Sequence, residues 1–105
     1  MDKKMLNFLG IAVRAGKVQA GFNRCSTAIK SGKAKLVIVC CDISEKTVKE
    51  IRFLCDKYHT KMIEVDCQIA ELTAAIGTKA GICAVCDLGF ANNLEALSKC
   101  NERID

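Results

Sequence analysis

"AIKSGKAKLVIVCCD", residues 28–42, joins an amphipathic tail, a lysine-rich turn, an apolar run and two adjacent cysteines. The run from Leu36 to Cys41 has no polar interruption and is rich in β-branched residues, which predicts a strand covered on both faces. A helical pattern closing on Gly32 just before it makes the unit helix, turn, strand. Three functions fit these residues taken alone: a phosphate-binding loop, a thiol or metal site, or a basic shelf beside a core strand.

Alternation continues outward in both directions. Leu6, Leu9 and Val13 predict a first helix over about residues 3–15, behind an Asp2 N-cap and ending before Gly16. "KVQAG" then reads as a short strand. Phe22, Cys25 and Ile29 give the buried stripe of a second helix over about residues 22–31. Beyond "LVIVCC", Ser44 caps a helix carrying Val48, Ile51, Leu54 or Cys55, and Tyr58, and "KMIEV" is a strand. Ile69, Leu72 and Ile76 mark a helix ending at Gly77, "GICAVC" a last strand, and Phe90, Leu94 and Leu97 a terminal helix. The order αβαβαβαβα predicts an α/β fold: a three-layer α/β/α sandwich around a four-stranded, mixed sheet.

At 105 residues this is one domain, 1–105, large enough to bury a core without staples. Half of the residues are apolar and 27% are charged, with no low-complexity tract or repeat, so the chain is expected to be ordered. The opening "MDKKMLNFLG" is too short in apolar residues for a signal peptide, and no run reaches the ~20 residues of a membrane span. A cytoplasmic location with no membrane partner is expected. The eight cysteines (25, 40, 41, 55, 67, 83, 86 and 100) sit in a chain rich in Ile, Leu, Val and Ala, so most read as small core hydrophobes.

Charge is uneven. Residues 1–35 hold eight Lys/Arg against Asp2 alone, a balance of +7, while residues 36–105 hold eight against eleven acids, a balance of −3. The basic N-terminal third points to a polyanionic partner. Lysines that merely solvate helix faces are the plainer alternative.

The motif search removes several functions. "GIAVRAGKV" has five residues between its glycines and Val18 after Lys17, so it is not a Walker A loop, and it ends a helix instead of opening one. No GxGxxG follows a strand. Cys83 and Cys86, three apart on a strand, should point to opposite faces, and Cys40 with Cys41 likewise. With His59 the only histidine, neither a zinc site nor a Ser-His-Asp or Cys-His arrangement is expected. The expectation is therefore no catalytic residue, no metal and no cofactor.

What remains is the shelf. If Phe22, Cys25 and Ile29 face the core, then Asn23, Thr27 and Lys30 share an exposed face with Arg24 beside them. An amide, a hydroxyl and cations near a helix N-terminus suit RNA, Gly21 lets a backbone or base come close, and Lys17, Lys33 and Lys35 supply phosphate contacts.

The stretch "LGIAVRAGKVQAGFNRCSTAIKSGKAKLVIVCCDIS", with its "RAGK" and "SGKAKLV" words and Asp-x-Ser ending, resembles the bacterial YlxQ-like branch of the kink-turn-binding L7Ae ribosomal-protein family. The likeness continues through "ELTAAIGTKAGICAVCDLGFA" and so covers nearly the whole chain. It implies the same α/β/α sandwich and RNA binding by two elements. In that family a Gly-x-Asn-Glu-x-x-Lys stretch at the turn into the second helix reads tandem sheared G·A pairs. Here it aligns with Gly21-Phe22-Asn23-Arg24-Cys25-Ser26-Thr27: Gly21 and Asn23 match, Arg24 replaces the acid and Thr27 replaces the Lys. Arg24 only donates, so it cannot stand in for a carboxylate acceptor, though it can bond phosphate or the acceptor atoms of guanine. The second element, the loop Thr78-Lys79-Ala80-Gly81, would cover an extruded nucleotide.

The expectation is thus a non-enzymatic, monomeric RNA-binding protein that takes kink-turn-like or ribosomal RNA and works with the ribosome in translation. Two rivals stand beside it: a protein-interaction module using the same fold, and a thiol- or metal-binding protein.

Overall fold

A computed structural model describes residues 3–102 of the chain, with side chains from residue 3 to residue 98. The expected Asp2 cap and the thiol of Cys100 lie outside the described residues. Among the described residues nine elements alternate as expected: α1 (Lys3–Arg14), β1 (Val18–Ala20), α2 (Phe22–Lys30), β2 (Leu36–Val39), α3 (Glu45–Lys57), β3 (Lys61–Glu64), α4 (Ile69–Ile76), β4 (Ile82–Val85) and α5 (Leu88–Glu102). Local chemistry sets several of their ends. The Thr47 backbone N–H donates to Ser44 Oγ at the start of α3, the Gln68 N–H donates to the Glu71 carboxylate at the start of α4, and Gly77 closes α4 at φ 81°.

The sheet is mixed, in the order β1-β4-β2-β3, with β2 and β3 parallel and β4 antiparallel to both β1 and β2. Every residue of the two central strands is buried, whereas the edge strands are half-covered. Because side chains alternate along a strand, β2 and β4 feed two separate cores. Leu36, Ile38, Cys83 and Val85 pack with Met5 and Leu9 of α1, Leu72 and Ile76 of α4 and Leu94 of α5. Val37, Val39, Ile82 and Ala84 face the other way, onto Cys25 and Ile29 of α2 and Ile51 and Cys55 of α3. The three-layer sandwich is therefore three helices, sheet, two helices. No helix among the described residues is long and apolar enough to cross a membrane.

Details differ from the periodicity. The buried line of α1 is Met5, Leu9 and Ala12, with Leu6 and Val13 flanking it instead of leading it. β2 ends at Val39, so Cys40 and Cys41 lie beyond the strand, the first buried and the second exposed. Phe22, expected in the stripe of α2, stands 36% exposed, and Ala28 takes its place beside Cys25 and Ile29. A phenylalanine at the first position of a helix lies too far out to reach a core that the following turn already fills. Cys83 and Cys86 do face opposite cores.

Two glycines carry opposite expectations. A Cβ on Gly81 would lie 2.4 Å from Ile43 Cγ2 and 3.0 Å from Ile69 Cγ1, both on branched side chains held in the loop packing. A Cβ on Gly10, inside α1, would meet only the Ala75 carbonyl oxygen at 3.5 Å, an ordinary contact. Urea denaturation should therefore show Gly81→Ala destabilised by about 1–3 kcal/mol and Gly10→Ala stabilised by up to about 1 kcal/mol.

Candidate nucleic-acid interface

The chain leaves β1 and enters α2 through Gly21, whose φ of 96° and ψ of 158° suit a residue without a Cβ. Its N–H donates to the Ile82 carbonyl at 3.0 Å, and its own carbonyl accepts from the Cys25 N–H. Ile82 opens β4, directly after the 78–81 loop. One hydrogen bond thus sets the start of α2 beside that loop, two segments far apart in sequence. The loop is held from behind: the Ala80 N–H donates to Thr73 Oγ1 at 3.3 Å, and the Gly81 carbonyl accepts from the Cys40 N–H at 2.9 Å. Ala80 is buried and Gly81 is wedged against Ile43 and Ile69, so these two anchor the loop while Thr78 and Lys79 are the side chains it presents.

Along α2, Asn23, Arg24, Thr27 and Lys30 are exposed over a buried Cys25, Ala28 and Ile29. Thr27 Oγ1 donates its proton to the Asn23 carbonyl at 3.0 Å, which leaves its lone pairs outward as acceptors. The face is split. A groove of about 580 Å³ beside the 16–19 segment is lined by Lys17, Asn23, Arg24, Thr27 and Lys33 among others. A second groove, of about 750 Å³, lies between α2 and α3 and takes Lys30 on its wall. Asn23 and Thr27 border both and so form the ridge between them.

The remaining cations gather at the far end of β4. The Lys17 carbonyl accepts from the Cys86 N–H at 2.7 Å, and the Lys35 N–H donates to the Val85 carbonyl at 2.8 Å. Lys35 Nζ turns back onto the Gly32 carbonyl at 3.2 Å. The four residues of β4 separate this cluster from Gly81 by about 13 Å. The expected shelf therefore resolves into a near end (Gly21, Asn23, Arg24, Thr78, Lys79), a ridge and a far basic end, with Lys30 on another wall. Not all of the basic third joins it, since Lys3 and Arg14 line a separate groove with Glu71 between α1 and α4. Gln19 and Ser31 also line the α2 groove. Nothing local in the sequence marks them, because only the pairing of β1 with β4 puts Gln19 there.

Among the described residues, Lys17, Arg24, Lys30, Lys33 and Lys79 have no carboxylate at ion-pair distance. The salt bridges Arg52–Glu64 and Lys61–Glu95 lie at the β3 edge instead. An unpaired cationic face of this kind attracts a polyanion at long range, and does so less as salt rises.

The thiols form no comparable site. Seven cysteines are free among the described residues, and five of them are buried. Burial pushes Cys25 and Cys40 up to about 12 and Cys55 up to about 11, from an ordinary value near 9, with neighbouring thiols or acids adding to the rise. Cys83, sealed in the core, is raised well above 9 as well. No group of three or more His, Cys, Asp or Glu able to hold a metal occurs among the described residues. Since the unfolded chain loses these protons near pH 9 while the folded chain keeps them, unfolding becomes easier as pH rises from 9 toward 11. Each such thiol removes up to about 1.4 kcal/mol per pH unit in that window. Denaturant titrations at pH 7, 9 and 10.5 should show stability level to about pH 8.5 and falling above it, and among the seven described thiols reagents at pH 8 should meet one fast group, exposed Cys41.

Comparison with known proteins agrees with the fold and its order of elements. The RNA-binding protein YlxQ of Enterococcus faecium is 34% identical over 95 residues, covering 90% of this chain and 91% of that one. The RNA-binding protein YlxQ of Bacillus subtilis (strain 168) is 38% identical over 90 residues, covering 85% and 89%. A solved protein of unknown function from Bacillus halodurans superposes with a TM-score of 0.88 at 30% identity, over 93% of this chain and 99% of that one. The Giardia lamblia 15.5kD RNA binding protein superposes at 0.76 over 95% and 92%, with 15% identity, a likeness of fold alone. The profile of the ribosomal protein L7Ae/L30e/S12e/Gadd45 family matches residues 3–95, and with these relatives it shows that the chain belongs to that family.

Proposed function

We propose that this protein is a non-enzymatic RNA-binding protein that grips a structured RNA, of kink-turn or ribosomal type, by the N-terminal turn of α2 and the 78–81 loop. The observation that carries the reading is the Gly21 N–H bond to the Ile82 carbonyl, which sets these two segments side by side under unpaired cations. Family membership and the YlxQ relatives, named as RNA-binding proteins, support RNA as the partner. Work as a monomer, in the cytoplasm and with the ribosome, belongs to the same proposal.

Each side chain has a task that its chemistry allows. Asn23, at the mouth of both grooves, offers a donor and an acceptor to a base edge. Arg24 bonds phosphate or the O6 and N7 acceptors of guanine, a different contact from the one a carboxylate would make. Thr27 accepts a hydrogen bond where a lysine would meet phosphate. The helix N-terminus adds free amides and a positive dipole end. Lys17 and Lys33 line the groove along α2, where they follow the RNA backbone without reading sequence.

Binding to a kink-turn RNA, compared with the same stem whose G·A pairs are replaced by Watson–Crick pairs, tests this at two salt concentrations. A preference of about tenfold, ~1.4 kcal/mol, is expected. With about five phosphate contacts the log–log salt slope should be roughly −4. Asn23→Ala should weaken the kink-turn RNA more than the paired control, whereas Lys33→Ala should weaken both and flatten the slope by about 1. Equal losses on both RNAs in the Asn23 variant would remove the case for base reading, and no binding to either RNA would favour a protein partner for the basic face.

A further inference from the structure

The second groove, between α2 and α3, is not explained by the contacts above. Phe22 and Phe53 both line it, and they are 36% and 66% exposed. Two exposed aromatics sharing one groove are a candidate interaction surface. Lys30 and Lys49 stand on the same walls, with Glu50 the only acid among the lining residues. Ser26 also lines the groove, and its Oγ is buried with no hydrogen-bond partner among the described residues. Aromatic rings and cations lining one groove offer what an unpaired nucleotide needs: a flat apolar face for the base and charge for the phosphate.

The groove is also continuous with the first one, because Asn23 and Thr27 border both. A strand leaving a structured element seated at Gly21 and the 78–81 loop would cross that ridge directly. We infer that the α2–α3 groove is a stacking platform for a single-stranded segment of RNA, with bases laid on Phe22 and Phe53 and phosphates near Lys30 and Lys49. This rests on the reading of the chain as an RNA-binding protein and extends it from one structured motif to a motif with an unpaired flank. A purely apolar groove would suit a protein helix better, but Lys30 and Lys49 among its lining residues favour a polyanion.

Phe53 is the position to change, since it is exposed and contributes to neither core. The chain contains no tryptophan, so Phe53→Trp gives a single fluorescent reporter in the groove. Titration of that variant with an eight-nucleotide oligouridine should quench its emission, and Phe53→Ala should lower affinity for the labelled octamer about tenfold, the loss of roughly one stacked base. Octamer binding that neither quenches Trp nor depends on Phe53 overturns the inference. So does failure of the octamer to bind, which would leave the aromatic pair to a protein partner. The kink-turn preference, measured in the same Phe53→Ala protein, separates the two readings: if it persists while the octamer gives no response, the structured-RNA reading stands and the platform falls. If the octamer responds while no preference exists, the platform stands and the kink-turn reading falls.

Discussion

The placement of β4 between β1 and β2 is the constraint on which the molecule depends. Hydrogen-bonded along both edges and buried on both faces, this last strand closes the sheet and links the two ends of the chain. Its start holds Gly21 through Ile82, and its end holds Lys17 and Lys35 through Cys86 and Val85. Moving it would separate both halves of the candidate interface at once. The same strand explains why the loop before it is so tightly built: Gly81 must pass against Ile43 and Ile69 while bonding Cys40, and no side chain fits there.

Much of this architecture is legible from residue order. Uninterrupted apolar runs at "LVIVCC" and "GICAVC" become the two strands buried on both faces, and the glycines at 32 and 77 end helices as their spacing predicts. Strand order is not legible, because nothing in β4 itself says whether it will lie at an edge or in the centre. The α2 stripe shows the limit of periodicity. The pattern Phe22, Cys25, Ile29 fits one helical face, yet the first residue of a short helix projects past the core, so Phe22 turns toward α3 instead. Ala80 shows a second limit: in sequence it is one residue of an exposed loop, and only the bond to Thr73 reveals that it faces inward.

The candidate site divides in the same way. The exposure of Asn23, Arg24, Thr27 and Lys30 follows from the helical repeat and was readable. Their separation onto two grooves was not, because the repeat gives angles around one helix and says nothing of the neighbour beyond it. Net charge misled in part, since the basic third is continuous in sequence but Lys3 and Arg14 belong to another face. The unpaired cations that remain around α2 form a more compact electrostatic feature than the count of +7 suggests. In the proposed reading, Arg24 and Thr27 stand where the family pattern has an acid and a lysine, so the turn would accept and donate differently and base reading would fall to Asn23.

The most direct measurement of the central claim is a map of backbone amide shifts in labelled protein as a kink-turn RNA is added. The account predicts that the perturbed amides cluster at residues 21–27 and 78–82, extend along the groove to Lys17 and Lys33, and leave the α1, α4 and α5 side unchanged. Perturbations centred on the α1–α4 groove around Arg14, or spread evenly over the basic surface, would contradict it.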